Sequence, residues 1–304
     1  DPGKAGEGRQ QQPQANHSAL TDAKNERAVY PHTRPAACPG LPQPCPQHHQ
    51  APYTNRPIKP GSLRMLRSLR RLLLKLLLWF IAGSFLLVLA LRWVPPPGTA
   101  LMVERKIESW IDGKPIDLQR TWRSWEQLPD DLKIAVIASE DQKFAQHWGF
   151  DVEAIKAALS HNQQGGSVRG ASTLSQQVAK NLFLWSGRSW LRKGIEVWFT
   201  GLIELLWPKQ RILEVYLNSA EWADGVFGAE AAARHHFNIG ASYLSARQAS
   251  LLAAVLPNPR QYDAGRPSGY VNQRANWIRR QMRQLGGSHY LDQLQAPRPA
   301  FWAK

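Results

Sequence analysis

An apolar run from Leu72 to Val94 constrains this chain more than any other feature of its sequence. About 20 such residues in a helix span a hydrocarbon core roughly 30 Å thick. Lys75 and Arg92 lie near the ends of the run, where their long side chains can reach the headgroups. We therefore expect a transmembrane helix. A cleaved signal peptide is disfavoured because the run is too long and three prolines, at 95–97, replace a small-x-small cleavage site.

The orientation of this helix follows from the charges around it. Four arginines precede the apolar run, namely Arg64, Arg67, Arg70 and Arg71. Under the positive-inside rule they keep the N-terminus cytoplasmic and place everything after Pro95 across the membrane. The sequence thus predicts a single-pass signal anchor with its linker over residues 65–98 and an exoplasmic domain over residues 99–304.

Residues 1–64 differ in composition from the rest of the chain. Half of the 22 prolines lie within residues 1–60, with no apolar period of a helix or a strand, which predicts a disordered tail. Met65 is the first methionine and stands before the arginines, so we interpret it as the natural start and residues 1–64 as upstream sequence. A genuine disordered cytoplasmic tail is the alternative. Cys38 and Cys45, the two cysteines, lie here and provide no disulfide framework.

Beyond the linker, helix formers and helical apolar spacing predominate, so the exoplasmic part is predicted to be mainly α. We expect helices over residues 130–140, 152–162, 173–182, 189–206, 209–218, 228–237, 246–256 and 271–284. Residues 110–127 are less regular and could hold a short hairpin. A glycine-rich loop, residues 165–170, is expected to be mobile in the empty protein because glycine backbone costs most to fix.

A pair of carboxylates, Glu140 and Asp141, follows an apolar helix. At the end of a buried helix, next to Phe144 and His147, one of the two acids can lie in partly apolar surroundings. Such surroundings raise the pKa of a carboxyl group towards the value that a general base needs. The plain alternative is an ordinary helix end with solvated acids.

A second polar group of residues follows the glycine-rich loop. Gln176, Gln177 and Lys180 share one face of the predicted helix, and Asn181 comes next. Three cations then occur within six residues, at Arg188, Arg192 and Lys193, with Glu196 one helical turn further on. Such a cluster can neutralise a pyrophosphate through charge-assisted hydrogen bonds. The alternative is a solvated amphipathic helix with an exposed Arg–Glu pair.

Taken together, the motifs of this chain and their order are specific to one protein family. The ordered segments EDQKFAQHWGFD (140–151), GASTLSQQVAKNLF (170–183), RKGIE (192–196), KQRILEVYLN (209–218) and GVFGAEAAARHHF (225–237) resemble those of the family-51 peptidoglycan glycosyltransferases, in particular the monofunctional branch. The resemblance covers roughly residues 95–270. It implies a lysozyme-like, all-helical glycosyltransferase domain at the outer face of the bacterial inner membrane, facing the periplasm. Gln248 departs from the family, which usually has glutamate there, but Ser245 and Gln248 still form a capping-box pattern.

The resemblance also implies roles for individual residues. Glu140 corresponds to the family's general base and Glu196 to its second essential glutamate. Substrate binding is implied for the polar residues around them, namely Gln176, Gln177, Lys180, Asn181, Arg188, Arg192 and Lys193. The implied reaction joins lipid II into β-1,4-linked glycan strands with inversion and releases undecaprenyl pyrophosphate. A divalent cation, Mg²⁺ or Mn²⁺, is implied as a possible cofactor with unknown ligands, and no organic cofactor is expected.

Charge and motifs favour a glycosyltransferase over the alternative functions of a nucleic-acid-binding protein, a lytic enzyme and a bifunctional penicillin-binding protein. The 38 Lys and Arg against 23 Asp and Glu, a net charge of +15, indicate an acidic partner. Lipid II, the growing strand and membrane lipids meet that need. A nucleic-acid protein would carry repeated basic patches with stacking aromatics, whereas a lytic enzyme needs no pyrophosphate site. Neither Ser-x-x-Lys nor Lys-Thr-Gly occurs, so no transpeptidase activity is expected and cross-linking is left to penicillin-binding or divisome proteins.

Overall fold

A computed structural model of the chain describes residues 60–163, 170–187 and 189–296. Of the tail predicted to be disordered, residues 1–59 lie outside the described residues, whereas residues 60–64 are helical, so the predicted boundary at residue 64 is wrong. Most of the glycine-rich loop and Arg188 also lie outside the described residues. Lys59–Lys304 belong to one compact unit. Within the described ranges helices predominate, and the prediction of a mainly α domain behind a single apolar helix is confirmed.

Eleven α-helices are present in the described part of the chain: α1 Pro60–Ala90, α2 Ala100–Ile111, α3 Asp130–Glu140, α4 Val152–Gln163, α5 Leu174–Phe183, α6 Trp190–Leu206, α7 Lys209–Ser219, α8 Ala229–Phe237, α9 Ala246–Val255, α10 Gly269–Gln284 and α11 His289–Asp292. Three short strands form one small sheet: β1 Gln119–Arg120, β2 Glu221–Ala223 and β3 Val226–Phe227. The eight helices predicted from periodicity are confirmed to within two residues at each end. The expected capping box of Ser245 and Gln248 opens α9, with each side chain bonded to the other's backbone amide.

Two features of the fold were not anticipated from the sequence. Helix α2 mixes charged and apolar residues, and its clearest signal is Thr99, whose hydroxyl accepts a hydrogen bond from the amide of Met102 at 3.1 Å. The short hairpin considered for residues 110–127 is not formed. Gln119 and Arg120 instead pair in parallel with Val226 and Phe227, in the order β1-β3-β2.

The reason for the missing hairpin lies at the end of α2. The hydroxyl of Ser109 accepts a hydrogen bond from the amide of Ile116 and donates one to the carbonyl of Lys114. These bonds fold the chain back onto its own helix rather than onto a neighbouring strand. The hairpin of this domain is formed by β2 and β3, which are antiparallel.

Helix α1 carries the apolar run and packs on α6. Its segment Arg67–Ala90, 24 residues, is long and apolar enough to cross a membrane. At 1.5 Å per residue it measures about 36 Å. Most of its surface is exposed, but Phe80 lies 6.3 Å from the ring of Trp198, whose indole nitrogen donates a hydrogen bond to Ser84.

The C-terminal end of α1 is tied to the domain by side chains. The last carbonyls of a helix have no partner within it. Trp207 donates a hydrogen bond to the carbonyl of Val88 at 2.7 Å, and the guanidinium of Arg211 donates to the carbonyls of Leu91 and Val94. In return, Arg92 donates to the carbonyl of Leu206. The apolar helix therefore ends against the start of α7 and is not joined to the domain by a free linker alone.

The core of the domain is built by two groups of helices. Helices α3, α9 and α10 pack against one another, and α5 packs on α2, α6 and α7. The middle of α3, residues 132–138, is fully buried between its neighbours. This burial fixes the direction of α3 and hence the place where its last residue, Glu140, leaves the core.

A buried carboxylate at Glu230 joins α8 to two other parts of the fold. It accepts hydrogen bonds from Arg123 at 3.0 Å, from Arg234 at 2.7 Å and from the amide of Ala241 at 2.8 Å. The hydrogen bond from Arg123, with the other two donors, lowers the pKa of Glu230 from 4.5 to about 2. The charged form is therefore favoured by folding, and its stabilisation is present above pH 4.5 and lost as the pH falls towards 2.

We expect Glu230→Gln to destabilise the folded chain by about 3 kcal/mol at pH 6, because a neutral amide replaces this paired carboxylate. The difference from the parent should narrow as the pH is lowered to 3.5. Urea unfolding of the detergent-solubilised chain, followed by tryptophan fluorescence, measures both values. Glu153→Gln, at an exposed ion pair with Lys143, is the control and should change stability by no more than about 0.5 kcal/mol. A constant difference from pH 6 to 3.5 would contradict the assignment.

Candidate active site

Glu140 is the last residue of α3 and stands where that helix emerges from the core. Its side chain is 16% exposed. Burial raises the pKa of Glu140 above its ordinary value, with a smaller contribution from the charge of Asp141. A hydrogen bond from Gln177 and the positive charges of Arg274 and Lys180 act in the opposite direction. The carboxyl group thus lies between an apolar core and a set of donors, as a general base requires.

Asp141 fixes the position of Glu140. Its buried carboxylate accepts a hydrogen bond from His147 Nε2 at 2.9 Å and another from the amide of Leu174, at the start of α5, at 3.0 Å. The amide of Gly149 donates to His147 Nδ1, so the ring hydrogen is on Nε2 and points to Asp141. Asp141 therefore joins the end of α3, the following loop and the beginning of α5.

The loop after Asp141 lies directly on α6. Gly149 has a φ of +80°, and a Cβ atom there would lie 2.8 Å from Thr200 and 2.9 Å from Glu204. Both the backbone conformation and the close approach therefore require glycine. The carbonyl of Gly149 accepts a hydrogen bond from the Thr173 hydroxyl at 2.6 Å, which ties the loop to the cap of α5.

A chain of hydrogen bonds leads from the core to Glu140. The Tyr216 hydroxyl donates to Gln177 Oε1 at 3.2 Å, and Gln177 Nε2 donates to Glu140 Oε2 at 3.0 Å. Burial raises the pKa of Tyr216 well above its ordinary value, so this hydroxyl stays protonated. Because an ionised carboxylate can only accept hydrogen bonds, Glu140 turns the amide nitrogen of Gln177 towards itself and leaves the amide oxygen to accept from Tyr216.

The predicted cationic cluster surrounds Glu196. This glutamate is buried, with its side chain 4% exposed, and it accepts a hydrogen bond from Arg192 at 2.7 Å and another from Lys193. Burial lowers the pKa of Lys180, while the charge of Glu196 acts to raise it. The solvated amphipathic helix considered as the alternative is therefore wrong for Glu196, although Lys193 itself is largely exposed.

A cavity of about 390 Å³ opens between these groups. It is lined by Ser172, Gln176, Gln177, Lys180, Ser186, Arg192, Lys193 and Glu196. The Nε atom of Arg192 is buried and has no hydrogen-bond partner among the described residues. A buried donor of this kind normally has an acceptor. The cavity therefore offers the positive charge of Lys180, Arg192 and Lys193 to an anionic group.

Not every residue predicted for substrate binding is placed in this cavity. The Gln176 side chain accepts a hydrogen bond from the amide of Thr173, closing a capping box at the start of α5, while it also lines the cavity. Asn181 is buried and is not among the residues lining the cavity. Arg188 lies outside the described residues, so its predicted role stays a prediction.

Two residues near Glu140 were missed by the sequence analysis. Tyr216 is on α7 and Arg274 is on α10, more than 70 residues away along the chain. Arg274 Nη2 lies 3.9 Å from Glu140 Oε1. Neither residue stands out by spacing from Glu140. The only available signal was that a buried carboxylate needs donors, and this does not say where in the chain they occur.

The described residues do not form a site for a divalent cation. No group of three or more His, Cys, Asp or Glu side chains with suitable geometry occurs among them. Glu196, the carboxylate of the cationic cluster, already has both oxygens engaged by Arg192 and Lys193. This donor set suits an anion and does not fit the oxygen-rich coordination of Mg²⁺ or Mn²⁺.

Comparison with known proteins agrees with this geometry. A family model described as "Transglycosylase" matches residues 108–283, more than half of the chain. A protein of Stutzerimonas stutzeri (strain A1501) named "Biosynthetic peptidoglycan transglycosylase" is 76% identical over 238 residues, 78% of this chain and 98% of the relative. Proteins of the same name from Ectopseudomonas mendocina (strain ymp) and Pseudomonas fluorescens (strain Pf-5) are each 72% identical over 240 residues, 79% of this chain and 99% and 100% of the relatives.

The matched segment includes Glu140, Gln177, Lys180, Glu196, Tyr216 and Arg274. The resemblance carried by the five ordered segments is confirmed. With its domain matched and its similarity extending over almost the full length of these relatives, the chain belongs to the family of biosynthetic peptidoglycan transglycosylases.

Proposed function

We propose that Glu140 is the general base of this peptidoglycan glycosyltransferase, which joins lipid II into glycan strands. In the reaction, the 4-hydroxyl oxygen of the acceptor sugar attacks the anomeric carbon of the donor. The new C–O bond forms as the bond to undecaprenyl pyrophosphate breaks, and the hydroxyl proton passes to Glu140. Attack from the face opposite the leaving group gives a β-1,4 bond with inversion.

One observation carries this proposal. Gln177 donates a hydrogen bond to Glu140 and also lines the cation-lined cavity. The proton acceptor, Glu140, and the anion site in that cavity are therefore both next to the side chain of Gln177. A carboxyl group with a raised pKa is suited to accept a proton, and a cluster of cations is suited to stabilise a leaving pyrophosphate. The reacting carbon would lie between them.

The cationic cluster stabilises the leaving group and leaves it unprotonated. Lys180, Arg192 and Lys193 provide the charge, with Arg188 as a further predicted contributor. Glu196 holds Arg192 and Lys193 in place through two ion pairs from one buried carboxylate. We assign Glu196 a role in the shape and charge of the pyrophosphate site rather than in proton transfer.

We propose a bacterial inner-membrane location with α1 as the anchor, the N-terminus in the cytoplasm and the domain in the periplasm. The length and apolarity of Arg67–Ala90 support a membrane anchor. The orientation is supported by the four arginines at its N-terminal end, namely Arg64, Arg67, Arg70 and Arg71. Because no transpeptidase motif occurs in the sequence, we also propose that the strand is passed to penicillin-binding or divisome proteins for cross-linking.

Glu140→Gln should lower turnover by at least about 10²-fold, because the amide keeps the size of the side chain but cannot accept the proton. Binding of an unreactive pyrophosphate-containing donor analogue should change little. The matched comparison is Glu196→Gln, which weakens the hold on Arg192 and Lys193 and should reduce both donor binding and turnover. Polymerisation of lipid II and analogue affinity are measured for both. Near-parental polymerisation by Glu140→Gln would exclude it as the base.

Lys180→Ala, Arg188→Ala and Arg192→Ala should each weaken binding of the donor analogue. A charge-assisted contact is worth roughly 1.5–3 kcal/mol, or about 10- to 150-fold in affinity. Arg283→Ala, an exposed position on α10, is the charge-matched control and should bind like the parent. If the three cleft variants also bind like the parent, the cluster does not hold the pyrophosphate.

The activity should fall on the acid side at a higher pH than expected for an ordinary carboxyl group, because burial raises the pKa of Glu140 and the base must be ionised. Gln177→Ala removes a hydrogen bond that lowers this pKa, so the acid limb should move to still higher pH. The pH profile of kcat/KM, which reports the free enzyme, measures the shift. Gln142→Ala is the control, since this amide bonds to Ala138 and Gln281 and not to Glu140. A downward shift in Gln177→Ala would contradict the arrangement.

A further inference from the structure

We propose that one exposed face of α10, formed by Tyr270, Gln273, Arg274 and Trp277, binds a sugar ring of the acceptor. We call this surface the α10 face. The inference rests on the proposed role of Glu140 and deepens it, because it assigns the second substrate to residues of its own. These four residues line a groove of about 210 Å³.

The two oxygens of Glu140 face two different helices. Oε2 accepts the hydrogen bond from Gln177 on α5 at 3.0 Å, whereas Oε1 lies 3.9 Å from Arg274 Nη2 on α10. Gln177 lines the cation-lined cavity, and Arg274 lines the groove of the α10 face. Glu140 therefore stands between two different surfaces. One is a cavity that suits the donor's pyrophosphate, and the other is a groove that has two aromatic rings and is not lined by any carboxylate.

The donor side of the site is lined by residues of α4, α5 and α6. The cation-lined cavity shares Ser172 with two further cavities, of about 260 and 360 Å³, which lie along α4. Glu140 itself lines the larger of these two. This continuous space can hold a donor whose leaving pyrophosphate lies by Lys180 and Arg192. It shares none of its lining residues with the groove of the α10 face.

Inversion requires the nucleophile and the leaving group to occupy opposite sides of the anomeric carbon. With the leaving group by the cations, the acceptor hydroxyl must approach Glu140 from the other side. Arg274, 3.9 Å from Oε1, lines the groove that shares no lining residue with the donor's cavities, so we assign the acceptor to this groove. The acceptor sugar would then extend along α10 from Arg274, and the spacing of Tyr270, Arg274 and Trp277 places them on one face of the helix.

The side chains of the α10 face suit a sugar. Tyr270 and Trp277 are 51% and 37% exposed, and the ring of Tyr262 supports Tyr270 at a centroid distance of 5.4 Å. An aromatic face is electron-rich and attracts the weakly positive C–H groups of a sugar ring. Gln273 and Arg274 supply donors for hydroxyl or acetamido oxygens. The Arg274 side chain is 24% exposed, so part of its guanidinium can reach a sugar in the groove.

The test separates the acceptor from the donor. The full detergent-solubilised chain is given a lipid II whose 4-hydroxyl is blocked, which can act only as donor. The acceptor is a lipid II analogue with carbon in place of the anomeric oxygen, which can act only as acceptor. Formation of the single coupled product is measured while one substrate is varied at a fixed level of the other.

Tyr270→Ala and Trp277→Ala should each raise the KM for the acceptor roughly five- to tenfold, with the KM for the donor unchanged. Trp277→Phe, which keeps an aromatic face, should restore most of the acceptor affinity. Tyr243→Ala, at an exposed tyrosine that lines none of the cavities described above, is the matched control and should behave like the parent. Tyr270→Ala removes an exposed ring, so it tests the proposal even if Trp277→Ala impairs folding.

The remaining outcomes overturn the proposal in distinguishable ways. Parental KM values for the acceptor in both alanine variants would show that the α10 face does not bind it. A rise in the KM for the donor alone would assign the face to the growing strand. If Glu140→Gln couples the two substrates like the parent, the proposed base is wrong. If Glu140→Gln is inactive while the α10 variants are unchanged, only the present inference fails.

Discussion

The site depends on one buried carboxylate that takes no part in the proposed chemistry. Asp141 accepts hydrogen bonds from His147 and from the first amide of α5, and it follows Glu140 directly. Burying a charged carboxylate is costly unless donors surround it. Because those donors come from the loop and from α5, the two elements must close on the end of α3. Glu140 is thereby held against Gln177, and the base and the anion site acquire a fixed spacing.

The two glutamates of the site are assigned different proposed roles because their surroundings differ. Glu140 lies against the core and accepts a hydrogen bond from the amide of Gln177, and the guanidinium of Arg274 lies 3.9 Å away. Burial raises the pKa of Glu140. Glu196 is paired with Arg192 and Lys193. The helix that carries Glu196 also packs on α1 through Trp198. One helix, α6, therefore contributes both to the cationic cluster and to the contact with the apolar helix, which suits the proposed substrate, with its lipid in a membrane and its pyrophosphate above it.

Much of the fold could be predicted from local sequence. The apolar run gave α1, and capping residues and helical periodicity gave the bounds of eight helices, because both signals act within a few residues. Helix α2 was missed since charged residues interrupt its apolar pattern, and its cap Thr99 was the remaining clue. The hairpin considered for residues 110–127 does not form, because β1 pairs with a strand more than 100 residues away. Pairing across such a distance leaves no local pattern.

The sequence by itself determined the family, the helix order and the residues that could carry charge in the cleft, because ordered motifs and helical spacing are local properties. Only the tertiary structure decided which of them meet. It brought Tyr216 and Arg274 to Glu140 from other helices, used Gln176 as a cap, and buried Asn181 away from the cation-lined cavity. A side chain's partner and burial depend on how helices pack, and packing joins residues that are remote in sequence.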